Sequence, residues 1–337
     1  MTNAQDTLAA ALYSDPTVYE AERKAIFAKS WQLLAHDSQL AAPGDYVAAT
    51  FAGYPVLAVR GDDGVIRAFH NVCRHRAGPL VKDGAGHAGR GLTCLYHGWR
   101  YALDGRLASA RDFGPAENFD PRNFGLVALA CESWRGFVFM NMDKNAPQLM
   151  RTIAPLEERA SALSLERFTR AQHSVHDLKC NWKTYVENYL EGYHIPVLHP
   201  ALAASLGANY GVTIEPPMQF YRADPHEGSA VAGLWGWMWP CLGINVYAEG
   251  ILVERMWPID LANTRLDYLF LFSQDADAKA IEDAVAASVV TTQEDIFITE
   301  AVQRNLNAGI YEKGRLSPRH EQGVAWFQKE VARAYGN

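Results

Sequence analysis

The chain has 337 residues, 49% apolar and 20% charged, which supports a substantial core and argues against a disordered chain. Its formal charge of −7, from 31 basic and 38 acidic residues, has the wrong sign for a general nucleic-acid binder. No run of about 18 apolar residues marks a membrane span. Residues 1–12 lack a basic start followed by an apolar run, so no secretory signal is expected. The cysteines, Cys73, Cys94, Cys131, Cys180 and Cys241, are odd in number and widely spread, which does not suit a disulfide framework; the expected compartment is a reducing cytoplasm.

Residues 5–40 read as mainly helical. Asp15-Pro16 opens the segment TVYEAERKAIFAKSWQLL, where Tyr19, Ile26, Phe27 and Trp31 have a rough amphipathic spacing. From about Pro43 to residue 143, β-type runs such as DYVAATF, YPVLAVR and VIRAFHNV alternate with Gly- and Asp-rich turns. Asp62-Asp63-Gly64 and Leu103-Asp104-Gly105 are hairpin signals. A polar helical stretch (154–165), a strand-like run and a helix over about 181–194 follow. Residues 213–273 are β-rich, and helix returns from about Ala278. The expected division is residues 1–41 as a helical part of the larger domain, 42–145 as a small all-β domain and 146–337 as the rest of the larger one. The fold class is α+β.

Two short motifs carry metal chemistry. Cys73-Arg-His75 is followed, after eighteen residues, by Cys94-Leu-Tyr-His97. Each pair combines one thiolate with one imidazole, which suits a [2Fe–2S] cluster of Rieske type, with two cysteines on one iron and two histidines on the other. A structural Cys2His2 zinc site is the competing reading, but zinc fingers usually place both cysteines in one pair. A second site is marked by NWKTYVENYLEGYH, where Glu191 and His194, three apart, would share a helical face. Pro196 disfavours helix at Ile195, so His199 is expected on the next turn or loop, able to fold back towards His194. Two imidazoles need a carboxylate to complete the facial triad of non-haem Fe(II). The late run TTQEDIFITEAVQRNL offers Glu294 and Asp295, and spacing alone does not choose between them.

The motifs CRHRAGPL, CLYHGWRYALDG, NWKTYVENYLEGYHIPVLHP and EDIFITEAVQRNL together resemble the α subunit of the Rieske non-haem iron oxygenases, the ring-hydroxylating oxygenases, across nearly the whole chain. The resemblance implies a Rieske [2Fe–2S] domain followed by a helix-grip, START-like catalytic domain with an antiparallel sheet. It assigns the mononuclear iron to His194, His199 and Asp295. It further implies a head-to-tail homotrimer, in which a carboxylate bridges cluster ligand His97 to iron ligand His194 of a neighbouring subunit. That carboxylate is usually Asp and here is Glu191, a feature shared with the branch of carnitine, choline and glycine-betaine monooxygenases. NAD(P)H electrons would arrive indirectly, from a separate flavin/iron–sulfur reductase or ferredoxin, since Gly84-Ala-Gly86 lies outside any strand–helix junction. Arg74, Arg76, Arg90 and Arg100 could dock such an acidic partner or serve subunit contacts.

For the substrate, LWGWMW places Trp235, Trp237 and Trp239 on one face if it is a strand, and Tyr247 follows on the next run. Indole faces attract quaternary ammonium groups, so a pocket for a methylated ammonium compound, hydroxylated or N-demethylated, is the sharpest expectation. Asn245 is a further lining candidate by the resemblance. The competing functions are an aromatic-ring dioxygenase and a Rieske electron carrier without oxygenase activity.

Overall fold

The computed structural model describes residues 4–206, 210–223 and 233–335. The chain forms two compact units, one of Ala28–Leu149 and one of Met1–Phe27 with Met150–Asn337.

The first unit holds β1 (Gln32–His36), β2 (Asp45–Phe51), β3 (Tyr54–Arg60), β4 (Ile66–His70), β5 (Gly84–His87), β6 (Leu92–Thr93), β7 (Arg100–Tyr101), β8 (Leu107–Ser109), β9 (Ala128–Trp134) and β10 (Phe137–Asn141). Seven of them make a sheet in the order β1-β10-β9-β4-β3-β2-β5, and β6-β7-β8 make a second, small sheet. Both hairpin signals fall between paired strands, 62–64 between β3 and β4 and 103–105 between β7 and β8. The expectation of helix through residue 40 fails at β1. All five residues of QLLAH are buried, so the segment lacks the half-polar pattern that distinguishes a strand by sequence. Gly84-Ala-Gly86 belongs to an edge strand paired with β2, with no helix following it.

The second unit holds α1 (Pro16–Glu22), α2 (Leu149–Ala160), α3 (Trp182–Tyr189), α4 (Ile195–Leu198), α5 (Pro200–Leu206), α6 (Ala278–Asn307) and α7 (Gln322–Ala334). Its strands are β11 (Phe168–Leu178), β12 (Tyr210–Glu215), β13 (Met218–Ala223), β14 (Leu234–Met238), β15 (Leu242–Val246), β16 (Gly250–Pro258) and β17 (Thr264–Ser273). They form one antiparallel sheet in the order β11-β17-β16-β15-β14-β13-β12. α3, α6 and α7 pack on one face of it: Tyr185 of α3 and Thr292 of α6 bond to Tyr268 of β17, and Trp237 of β14 meets Phe327 of α7.

α3 is the hub. Asn181 caps its start by accepting from the Lys183 N–H. Trp182 is fully buried between Phe27 and Phe327, with ring centroids 4.9 and 5.4 Å away. Lys183, also fully buried, pairs with buried Glu22 at 2.5 Å, and Glu22 takes further bonds from Trp182 Nε1 and Tyr335 Oη. Removing one partner of such a pair typically costs about 3–5 kcal/mol, because the other charge is stranded.

Glu187, later on α3, accepts from Tyr13 at 2.6 Å and from Gln328 at 2.9 Å. Burial raises its carboxyl to about 7, against the lowering effect of these bonds and of Lys183. The folded chain therefore holds this proton through the range above 4.5 in which the unfolded chain loses it. Stability from this group is fully present at low pH and declines as pH rises towards 7, by on the order of 2 kcal/mol after allowing for partial exposure. Glu187→Gln keeps both acceptor bonds and should gain on the parent between pH 5 and pH 8 in urea unfolding; a difference independent of pH would contradict the assignment.

Candidate metal centres

In the first unit, the two metal motifs sit on two loops. Residues 73–79 follow β4, and residues 94–99 join β6 to β7. Each loop is closed on itself, Cys73 N–H donating to Gly78 O and Cys94 N–H to Trp99 O at 2.8 Å, and Leu95 N–H donates to Pro79 O at 2.9 Å to tie the two loops together. Cys73 and Cys94 are buried in one core with Leu57, Phe69, Leu92 and Trp99. His75 and His97 stand edge to face, 4.7 Å between centroids, and His75 stacks on Trp99. Position 78 must be glycine, since a Cβ there would lie 2.9 Å from Cys94 Sγ.

His75 Nδ1 is buried with no hydrogen-bond partner among the described residues. An orphaned ring nitrogen beside two free, buried thiols is what a cluster ligand set looks like before metal is counted. Tyr101 Oη accepts from the Arg74 N–H at 2.9 Å, so its own proton is left for Cys73 Sγ, 3.2 Å away. A hydrogen bond to a ligating sulfur stabilises the reduced cluster. Tyr101→Phe should therefore lower the cluster potential by roughly 20–60 mV, the one-electron equivalent of a bond worth about 1 kcal/mol. Redox titration checks this, and an unchanged potential would contradict it.

In the second unit, α3 ends at Tyr189, five residues earlier than the periodicity suggests. Glu191 and His194 lie beyond it on a turn, not on a helical face. They still meet, because Glu191 folds over its own turn. Its Oε1 lies 2.6 Å from His194 Nδ1, and its Oε2 accepts from the N–H groups of Tyr193 and His194. Pro196 does not exclude helix. It occupies the first turn of α4, where its missing N–H is not needed. That short helix brings His199 back to His194, with rings 5.1 Å apart.

His194, His199 and Asp295 each present one ligand atom within 4.8 Å of the others. Asp295 Oδ1 lies 2.9 Å from His199 Nε2 and 3.7 Å from His194 Nε2. Glu294 instead takes the outer nitrogen of His199, Nδ1, at 2.7 Å. Each histidine thus has a carboxylate on its Nδ1 and turns its Nε2 inward, the arrangement that orients metal-binding imidazoles. Asn188 donates to Asp295 Oδ1 at 2.7 Å and fixes the third group. Two imidazoles and one carboxylate suit non-haem Fe(II).

Residues 30–120 match the family model of the Rieske [2Fe–2S] domain, and residues 165–230 and 213–337 match that of the ring-hydroxylating α subunit catalytic domain. The carnitine monooxygenase oxygenase subunit of Acinetobacter pittii is 35% identical, over 95% of this chain and 92% of its own. This chain is a Rieske non-haem iron oxygenase. The carnitine monooxygenase oxygenase subunit of Escherichia coli K12 is 33% identical over 98% of this chain and 94% of its own. The crystal structure of the quaternary ammonium Rieske monooxygenase CntA with L-carnitine superposes with a TM-score of 0.88 at 34% identity, covering 98% of this chain and 96% of that one. As an oxygenase of this family the chain carries a Rieske [2Fe–2S] cluster and a non-haem iron, and a reductase supplies its electrons.

The remaining cysteines of the oxygenase stand apart from this chemistry. Burial pushes the thiols of Cys131 and Cys180 up to about 12, and that of Cys241 upward too. The expected substrate residues divide. Trp235 and Tyr247 face each other, 6.2 Å between centroids. Asn245, cross-strand from Trp235, exchanges hydrogen bonds with Tyr189 Oη at 3.1–3.3 Å. Trp237 is 0% exposed and packs on Trp239, Trp326 and Phe327. Trp239 lies past the end of β14, before Pro240.

Sequence reasoning missed a buried acid on the same sheet face. Glu254 of β16 accepts from Tyr185 at 2.6 Å and Tyr268 at 3.0 Å, and burial raises its carboxyl to about 7, with the Asp295 charge adding to the rise. It ties α3, β16 and β17 together near Asp295. Its position in the strand run ILVERMW carried a signal, an acid among buried apolar residues, but gave no partner.

Proposed function

We propose that this chain is the terminal oxygenase of a multicomponent system that uses dioxygen and NAD(P)H electrons to hydroxylate a quaternary ammonium compound, on an N-methyl group or a neighbouring C–H bond. The observation that carries this reading is the likeness to carnitine monooxygenase oxygenase subunits, 33–35% identical over nearly the whole chain. The Trp235–Tyr247 pair supports it, since indole and phenol faces favour a methylated cation.

In this reading Cys73 and Cys94 hold one iron of the cluster and His75 and His97 the other, while His194, His199 and Asp295 hold the mononuclear iron. When bound, these groups supply single electrons and dioxygen activation. The chain's own residues supply the rest. Glu191 and Glu294 hold the Nδ1 protons of His194 and His199, so both Nε2 atoms stay free to ligate. Asn188 keeps the Asp295 carboxylate aimed between them. Trp235, Tyr247 and Asn245 form the substrate side, with Trp237 as packing behind it. Glu191 joins His194 to His97 of the partner subunit in a head-to-tail homotrimer and carries the electron between them. The overall reaction balances as RH + O2 + NAD(P)H + H⁺ giving ROH + H2O + NAD(P)⁺. A separate flavin/iron–sulfur reductase or ferredoxin delivers the electrons, and the chain works in the cytoplasm. Among the described residues no helix is long and apolar enough to cross a membrane.

The test is a panel of carnitine, choline, glycine betaine and simple aromatic hydrocarbons, scored by substrate-dependent NADH and oxygen consumption with a competent reductase. A response to the ammonium compounds is expected. A response to aromatic hydrocarbons alone would make the chain an aromatic-ring dioxygenase and overturn the proposal.

A further inference from the structure

The carbonyls at the end of a helix have no partner within it and must find one elsewhere. At the end of α3 two of them are taken by side chains of a single strand. Tyr221 Oη donates to Tyr189 O at 3.0 Å, and Gln219 Nε2 donates to Leu190 O at 2.8 Å. The two side chains are two residues apart on β13, so they project from one face. Their backbone is locked in register, Gln219 opposite Trp237 and Tyr221 opposite Trp235. Gln219 is 0% exposed. The first turn of α7 closes over it at Gly323, where a Cβ would fall 2.6 Å from Leu190 O and closer still to Gln219 Oε1. The residue after Leu190 is Glu191. From there to His194 the chain is a turn closed by the Glu191 carboxylate itself, and it starts one peptide bond after the held Leu190 carbonyl.

We propose that Gln219 and Tyr221 are positioning residues for Glu191: by holding the carbonyls of Tyr189, the last residue of α3, and of Leu190, which caps it, they set where the bridging carboxylate stands. The proposal rests on the reading of Glu191 as the electron bridge. It adds that the reach of this longer carboxylate is indexed to the sheet and not to the helix alone. A misplacement of about 1 Å in such a group can cost roughly 100-fold in rate.

The test uses Gln219→Met and Tyr221→Phe, which keep shape and remove the donors, with Glu191→Gln alongside. In the iron-loaded holoenzyme, pre-reduced and mixed with substrate and oxygen, each positioning variant should slow cluster reoxidation roughly 10-fold or more. Iron content and the rate of cluster reduction by the reductase should stay at parental values. In metal-free protein labelled with ¹⁵N-histidine, the downfield Nδ1–H signal of His194 should move in both variants and vanish in Glu191→Gln. A merely structural role would lower the melting temperature and iron occupancy, with reoxidation per loaded site and the His194 signal unchanged, and that result overturns the proposal. If Glu191→Gln is slow while both positioning variants run at the parental rate with an unmoved signal, the positioning role alone fails. If Glu191→Gln itself reoxidises at the parental rate, the bridge reading fails, and the His194 signal then decides the positioning role by itself.

Discussion

Glu191→Gln should leave the cluster spectrum and the iron content intact and slow the oxidation of the reduced cluster by on the order of 100-fold. The reason lies in what the carboxylate holds. Glu191 Oε1 is 2.6 Å from His194 Nδ1, a charge-assisted contact that fixes the imidazole tautomer and leaves Nε2 free. The amide is nearly isosteric and can still accept from the N–H groups of Tyr193 and His194, so the turn survives. It loses the negative charge, and with it the ability to hold a proton shared between two histidines. Stopped-flow reoxidation of the cluster in single turnover, with product counted in the same mixture, measures the effect. A normal product yield at a normal rate would remove Glu191 from the electron path.

His194→Ala should abolish product formation while the Rieske spectrum remains, because the residues assigned to the two metal centres lie in separate units of the chain. Deleting one of three ligands leaves His199 and Asp295, too few for a facial triad. Iron should fall from about three to about two per chain, with the [2Fe–2S] absorbance unchanged. Loss of the cluster along with the iron would mean that the alanine had unfolded the protein. His194→Gln, which keeps a polar side chain on the turn, separates that outcome from loss of a ligand. An unchanged iron count in a folded variant would contradict the assignment.

The metal motifs were legible because their chemistry is local. A Cys-x-His and a Cys-x2-His pair each fit one tight loop, and only the tie between the loops, Leu95 N–H to Pro79 O, needed the fold. The two-carboxylate ambiguity was not legible. Glu294 and Asp295 are adjacent on α6, and only coordinates show that Glu294 takes the outer nitrogen of His199 while Asp295 Oδ1 lies towards both inner ones. β1 escaped because burial on both faces erases the period of two. The end of α3 escaped because Tyr193 and His194 continue the helical spacing in sequence, whereas a turn closed by Glu191 replaces the helix. Trp237 looked like its neighbour Trp235 because strand alternation gives a side chain's face and not its cover; α7, more than eighty residues later, supplies that cover. Gln219 and Tyr221 carried no signal at all, since a helix end capped from a distant strand leaves no trace in local spacing.

The central claim is that one chain carries a Rieske cluster and a separate catalytic iron. The most direct test is a count of iron and acid-labile sulfide in the purified, reconstituted protein. The ligand sets His75/His97 with Cys73/Cys94, and His194/His199/Asp295, predict about three irons and about two sulfides per chain. About two irons with two sulfides would leave an electron carrier and contradict the account.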